Sequence, residues 1–286
     1  MSVSAYKPCS YSAMSKESFD RFSKFITREL GIKMPPEKRI MLQSRLYKRM
    51  TQLHLANLEE YERHLFDLPE TSDEWTEFIN LVTTNKTDFF REPKHFEFLT
   101  QTALPSLDCG KPGGRPFKLW CAGCSSGEEP YTLAMVLSEY KTAHMGFDFS
   151  ILATDISTRV LNHARTAIYE EIRVDPVSID LRRRYLMRAK DRKRGVIRIS
   201  PDLRQKVRFG RLNFMNEDYG VKEQFDAIFF RNVMIYFAKQ TQQSVLEKLC
   251  RNLSVGGYLF AGHSESLVGF DLPIRQVFNS VFQKVR

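Results

Sequence analysis

Through the first ninety residues apolar side chains recur every three or four positions. Beyond Gly110 they gather into short solid runs separated by amphipathic stretches. The first pattern is that of helices buried on one face, the second that of buried parallel strands alternating with helices. Ser15 stands where it can cap a helix that aligns Phe19, Phe22, Ile26 and Leu30 and is stopped by Gly31. "PPEKRIMLQSRLYKRMTQL" begins a second helix on its prolines, with Leu42, Leu46, Met50 and Leu53 as its seam. Asn57 and Glu60 read as the capping box of a third, ended by Pro69, and Ser72 as the cap of a fourth running to about Val82. "TTNKTDFFREP" breaks the pattern, and Pro93 can start a further helix.

The second part reads strand "RPFKLWCA", helix "EPYTLAMVLSEY", strand "FDFSILATD" and helix "STRVLNHARTAIY". It continues with strands "VRFGRLNF" and "FDAIFFRNV", helix "KQTQQSVLEKLCRNL" and strand "GYLFAGHSE". The final "RQVFNSVFQKV" suits a closing strand that forms a hairpin with an earlier segment. Residues 170–206 interrupt the alternation and predict a small basic subdomain of a helix and short strands. The expected architecture is an all-α domain over 1–91, then an α/β domain over 92–286 with helices on both faces of a parallel sheet.

A chain of 286 residues with 42% apolar residues can bury a sizeable core. No apolar run approaches the ~18 residues of a membrane span, so no direct membrane insertion is expected. The first residues have no apolar core of signal-peptide type, which makes a cytoplasmic protein the expectation. Five irregularly placed cysteines (Cys9, Cys109, Cys121, Cys124, Cys250) do not suggest a secreted disulfide framework. The net charge of +9 calls for an acidic partner, and it is concentrated in two places. Lys16 to His54 holds ten basic against four acidic residues, and Arg182 to Arg211 thirteen against two. In the first, Lys38, Arg45, Lys48 and Arg49 fall within about 100° of one another at helical pitch, either a docking stripe or a solvated face.

Candidate chemistry centres on "FKLWCAGCSSGEEPY", Phe117 to Tyr131. Its Trp-Cys-x-x-Cys is the pattern of a thioredoxin-type redox site, which needs the first cysteine at a helix N-terminus. Here Cys121 belongs to the strand end, and the helix cannot start before about Ser126. No second Cys/His pair stands at zinc spacing, so no metal is expected. Gly123 and Gly127 instead suit a backbone that passes close to a ligand at the strand's carboxyl edge. Asp155, at the tip of the next strand, is placed to accept ribose hydroxyls. Glu128 and Glu129 would repel a pyrophosphate but accommodate a cationic nucleoside with a free amino group, favouring S-adenosylmethionine over NAD. The bland alternative is that both glutamates merely favour the helix dipole.

"TTNKTDFFRE", "SSGEEPYTLA", "ATDIS", "FFRNVMIYF" and "LFAGHSE", in this order, closely resemble the CheR family of chemotaxis receptor methyltransferases over nearly the whole chain. The resemblance implies a Rossmann-like class I S-adenosylmethionine-dependent methyltransferase domain with a small inserted β-subdomain, preceded by an all-α domain. It implies methyl transfer from S-adenosylmethionine to glutamate side chains on the cytoplasmic domain of membrane chemoreceptors, leaving S-adenosylhomocysteine. Asn85, Thr87 and Arg91 match the cofactor-contacting loop, Glu129 the methionine end, Asp155 the ribose, and Asn213 with Phe214 the adenine. Arg231 and Asn232 match the pair ending the fourth strand, with Tyr236 beside the methyl. Arg91 and Tyr236 are the expected catalytic residues, and the Lys38/Arg45/Lys48/Arg49 stripe the expected receptor contact. The glycine loop departs from the family at Cys121, Gly123, Cys124 and Ser126, all small. A target glutamate is already ionised at neutral pH, so no general base is called for and His263 reads as structural. In some members the inserted subdomain binds a peptide from the receptor's C-terminus. Rival functions are a nucleic-acid methyltransferase, which lacks its usual Asn/Asp-Pro-Pro-Tyr tetrapeptide here, and an idle paralogue that only senses the cofactor or binds a partner.

Overall fold

The computed structural model describes residues 13–107 and 114–286. Cys9, Cys109 and Gly110 lie outside them. The chain divides into two compact units between Thr84 and Asn85.

Among the described residues the first unit has four α-helices: α1 (Lys16–Leu30), α2 (Arg39–Gln52), α3 (Leu58–Asp67) and α4 (Asp73–Val82). Their ends follow local chemistry. The Ser15 hydroxyl accepts from the Ser18 amide, and Gly31 closes α1 in the left-handed conformation at φ 69°. Asn57 Oδ1 accepts from Glu60 N, while Glu60 reaches back to the amide of Ala56, one residue earlier than in the usual box. The prolines start a separate 3-10 turn, Pro36–Lys38, and α2 proper begins only at Arg39. The core is aromatic: Phe22 stacks on Phe78 at 5.6 Å and Phe25 on Trp75 at 4.4 Å, with Leu42, Leu46 and Met50 fully buried.

The basic stripe is not one open surface. Arg45 Nη1 donates to the carbonyls of Leu81, Val82 and Thr83, so its guanidinium caps the end of α4. Arg49 forms a forked pair with Glu74, Nε to Oε1 at 3.0 Å and Nη2 to Oε2 at 2.5 Å. Tyr61 also donates to Glu74, at 3.0 Å, and this carboxylate is buried. Lys38 bonds the Lys33 carbonyl from the 3-10 turn, and burial lowers its pKa. Of the four expected contacts, only Lys48 is exposed, and the other three are half-buried.

The second unit starts seven residues before the expected break after Arg91. The segment 85–91 is anchored there: Ser125 Oγ donates to Asn85 O, and Phe90 N to Thr132 Oγ1. It continues with α5 (Lys94–Phe98), a π turn (Leu99–Ala103) and α6 (Leu104–Ser106). Then follow β1 (Phe117–Ala122), α7 (Glu128–Ala143), β2 (Phe149–Asp155), α8 (Thr158–Thr166) and β3 (Ile168–Glu170). After these come α9 (Ile179–Tyr185), β4 (Leu186–Arg188), β5 (Val196–Ile199), α10 (Pro201–Gln205) and β6 (Val207–Arg211). The chain closes with β7 (Phe225–Phe230), α11 (Lys239–Asn252), β8 (Leu253–Ala261), β9 (Ile274–Phe278) and β10 (Val281–Lys284).

The main sheet has the order β6-β2-β1-β7-β8-β10-β9. β6, β2, β1, β7 and β8 are parallel, and β7 is buried at every position. The expected closing strand is itself a hairpin. β9 turns at Asn279–Ser280 into β10, which then pairs antiparallel with β8. Ser280 takes φ 55°, a turn conformation that alternation alone does not reveal. The insert is a separate antiparallel sheet, β3-β5-β4, running from Ile168 to Ile199. It ends before 206 because α10 packs against α7 of the main layer.

Removing Arg49 strands Glu74 in the interior beside Tyr61. Arg49→Ala should destabilise the helical unit by about 2–4 kcal/mol, the lower range for a broken buried pair because Arg49 keeps some solvent. The sequence has two tryptophans, Trp75 and Trp120. In a Trp120→Phe background, urea denaturation followed by Trp75 fluorescence reports this unit alone, and an unshifted midpoint would contradict the assignment.

Candidate active site

Strand order reverses between β1 and β7, and ligands of open α/β sheets bind at the carboxyl ends beside such a point. The end of β1 runs into a turn whose first amides, Gly123 N and Cys124 N, both bond Thr154 O. Gly123 has φ 85°, and a Cβ there would lie 2.5 Å from Val233 Cγ2. Gly127 has φ 101°, so neither position admits a side chain without strain. Asp155, at the tip of β2, is 8% exposed. Its oxygens accept from Ser125 N at 2.9 Å and Ser157 N at 3.0 Å. Burial raises its pKa and these amides pull it back, keeping an acceptor at the sheet edge.

The centre of the site is a buried ion pair between the end of β7 and the start of α7. Arg231 Nε and Nη2 each lie 2.6 Å from Glu129 Oε2. Arg231 Nη1 donates to the carbonyl of Arg91 at 2.8 Å and lies 3.2 Å from His95 Nδ1. Glu92 Oε2 is 3.5 Å from the same nitrogen, and the guanidinium lies over the Phe96 and Phe229 rings. Only 1% of this side chain is exposed, against 12% for Glu129. The Arg231 side chain is thus spent on positioning Glu129 and the 91–95 segment. Any contact it makes to a ligand falls to its backbone.

The other expected residues are distributed around this pair. Thr87 is buried and Asn85 half-buried on the anchored loop. The Arg91 guanidinium reaches the Lys86 carbonyl at 3.4 Å and remains partly exposed. Asn213 closes a side-chain turn onto Met215 N, while the Phe214 ring packs on Phe230 and Tyr219 beneath it. Asn232 takes φ 60°, a left-handed conformation asparagine tolerates, and its amide is held by Glu265 Oε2 at 2.7 Å. Tyr236 is half-buried in the 3-10 turn Met234–Tyr236, and among the described residues its hydroxyl makes no hydrogen bond. Phe90, Glu92 and Ser125 also have positive φ, so backbone strain gathers around this site.

Three participants were not anticipated. Cys121 donates its thiol to Glu129 Oε1 at 3.1 Å, so it orients the same carboxylate from the other side. Burial, then Glu129, pushes that thiol's pKa well up, and burial does the same to Cys124, which suits neither to redox chemistry. Glu92 and His95 follow Arg91 within four positions, the one local signal that could have pointed to them. Glu92, His95 and His263 bring metal-ligating atoms within 4.8 Å of one another, but the Arg231 cation already sits against two of these three.

Arg231 and Arg91 bring two positive charges, whereas Glu129, Glu92 and Asp155 bring three negative ones. A small-residue turn, a carboxylate at the second strand's tip and an excess of negative charge fit a cationic nucleoside. The doubly wound sheet with its antiparallel closing hairpin and this edge define a methyltransferase of the S-adenosylmethionine-dependent class. Residues 85–282 match the family described as CheR methyltransferase, SAM binding domain, and residues 17–83 the CheR methyltransferase, all-alpha domain. The chain is 38% identical over 259 residues to a chemotaxis protein methyltransferase of Borreliella burgdorferi, covering 90% of each. It is 37% identical to chemotaxis protein methyltransferase 2 of Pseudomonas aeruginosa over 94% of this chain and 93% of that one. For the Escherichia coli chemotaxis protein methyltransferase the identity is 38%, over 89% and 86%. The chain belongs to the CheR family of chemotaxis methyltransferases.

His95 has no exposure, and burial, with Arg231 beside it, lowers its pKa from 6.5 to about 4. The unfolded chain takes up this proton near its ordinary pKa and the folded chain does not until about 4. His95 therefore favours the folded state fully above 6.5 and less as pH falls toward 4. His95→Asn keeps an acceptor toward Arg231 and removes the titration. Wild type should lose on the order of 2 kcal/mol more than His95→Asn between about pH 7.5 and about pH 5. Urea unfolding at both pH values measures this, and parallel losses would contradict it. Cys121→Ser, which keeps a donor to Glu129, should retain cofactor affinity, whereas Cys121→Ala should weaken it by about 0.5–1.5 kcal/mol by calorimetry.

Proposed function

We propose that this chain is a protein-glutamate O-methyltransferase that converts glutamate side chains of chemoreceptors into methyl esters. The observation that carries this is the Glu129 carboxylate, fixed by Arg231 and Cys121 at the N-terminus of α7 within a site of net negative charge. The cofactor, S-adenosylmethionine, supplies a methyl group activated by its sulfonium. Glu129 receives the ammonium of the methionine end and Asp155 the ribose hydroxyls, while Asn213 and the Phe214 backbone border the adenine. Asn85, Thr87 and Arg91 close over the cofactor, with Asn232 and the Arg231 backbone at the end of β7.

The acceptor carboxylate is ionised at neutral pH, so no residue has to take a proton from it. What the protein supplies is position and dryness. The attacking oxygen must lie in line with the methyl at about 3–3.5 Å, and water must be excluded so that both charges are poorly solvated until they neutralise each other. Arg91 holds the acceptor in a forked contact, and Tyr236 lines the path of the methyl with its hydroxyl. On the helical unit, the receptor-facing role narrows to Lys48, with the exposed Ile40 beside it along a shallow depression also lined by Gln43, Ser44 and Tyr47. Acidic receptor helices are the complementary surface.

Incubation with methyl-labelled cofactor and host membranes should put label on receptor-sized protein that mild alkali releases as methanol. Alkali-stable label, or label in nucleic acid, would sink the ester assignment. Asp155→Asn should weaken cofactor binding by about 1.5–3 kcal/mol. Arg91→Ala and Tyr236→Phe should lower kcat with receptor binding intact, and Lys48→Glu should raise KM for receptor in a salt-sensitive way without changing cofactor affinity.

A further inference from the structure

Two side chains of the inserted sheet reach the cofactor end of the main sheet. Tyr169 lies on β3, and Arg173 in the 3-10 turn Glu171–Val174 that follows it. The buried Tyr169 hydroxyl donates to the Ser126 carbonyl at 2.7 Å, inside the glycine turn. A Cβ on Gly127 would stand 2.6 Å from that hydroxyl, so the missing side chain makes room for it. The Tyr169 ring also meets Phe89 edge-on at 5.1 Å.

Arg173 joins the same two segments by charge. Its Nη2 donates to Thr87 O at 2.6 Å and to Glu128 Oε1 at 2.8 Å, and its Nη1 to Asp88 Oδ1 at 3.1 Å. The Glu128 side chain is 2% exposed, and its other oxygen accepts from Ser126 Oγ at 2.6 Å. Glu128 is therefore not a second open carboxylate for a ligand. It is the buried anchor that Arg173 needs, and Arg173 is the cation that makes its burial tolerable.

We propose that Tyr169 and Arg173 are positioning residues for cofactor binding, through which the inserted sheet sets the spacing between the glycine turn and the 85–91 loop. Neither need touch the cofactor, since they act through Ser126, Glu128 and Thr87. A ligand that loads or shifts β3 then changes cofactor affinity, and the cofactor changes that ligand's affinity by the same factor. This rests on the reading that the cofactor lies at the Gly123–Gly127 turn.

The test is calorimetric titration of the full chain with S-adenosylhomocysteine, alongside steady-state kinetics on host membranes. Arg173→Met should raise Kd by about tenfold or more and Tyr169→Phe by about threefold, with kcat at saturating cofactor and KM for receptor nearly unchanged. Arg173→Lys should restore part of the affinity. Should Arg173→Met fold poorly, the double variant Arg173→Met, Glu128→Gln removes the stranded charge and should fold while Kd stays raised. Lowered melting temperatures with unchanged Kd would make both residues merely structural and overturn the proposal. Absence of binding by wild type would overturn the cofactor site itself, a separate outcome.

Discussion

The buried pair between Arg231 and Glu129 ties together, at the carboxyl edge of the sheet, two segments that leave the neighbouring strands β1 and β7. It links the end of the fourth parallel strand to the first turn of the helix after the first strand. Through the Arg91 carbonyl it also fixes the segment that leads into the site. A fully enclosed guanidinium is tolerable only when its N–H groups are met, and here carboxylates, a carbonyl and an imidazole nitrogen meet them. That requirement brings Glu129, Arg91, Glu92 and His95 to one place. Cys121 completes the arrangement by taking the oxygen of Glu129 that Arg231 leaves open. The carboxylate is thus oriented from both sides before any ligand arrives, which is the condition for an electrostatic site to act without reorganising.

The surrounding backbone obeys the same constraint. Asn232 and Glu92 sit in left-handed conformations on either side of the pair, and Glu265 accepts from the amides of Asn232 and Gly262. Such strain persists where neighbouring contacts over-determine it. On the opposite flank the glycine turn is held by Asp155 through Ser125, and by Tyr169 through Ser126. Each side of the site is therefore clamped by groups distant in sequence.

Much of this was legible in the chain. Helix caps at Ser15, Asn57 and Ser72 and the acid at Asp155 are local signals, and α1, α3, α4 and β2 fell where that chemistry put them. The helix expected through Tyr169 instead stops at Thr166, and Ile168–Glu170 form β3. The family motifs name Glu129, Arg231 and Asn232 but not the pairing of Arg231 with Glu129, because an arginine in "FFRN" looks the same whether it meets a ligand or another side chain. The intramolecular partners of the basic stripe on α2 were illegible for a related reason. Helical pitch places Arg45 and Arg49 on one face, but only the tertiary fold puts the end of α4 and Glu74 against that face. The closing hairpin was missed because a positive φ at Ser280 leaves no mark on an alternating apolar pattern. The anchoring of 85–91 to the second unit depends on Ser125 and Thr132, forty or more residues away.

The charge state of His95 shows how closely the site is balanced. Its imidazole touches the same guanidinium nitrogen as Glu92, and burial beside that cation keeps it neutral far below its ordinary range. A protonated His95 would place two cations between Glu92 and Glu129 and cancel the single negative charge by which the site's acids outnumber Arg231 and Arg91. Kept neutral, it instead accepts a hydrogen bond from Arg231 and adds no charge beside that guanidinium. Acceptor and cofactor then meet in a region where the protein moves no proton. The chemistry reduces to holding two opposite charges in line and dry, and the buried pair beneath them is what keeps that geometry fixed.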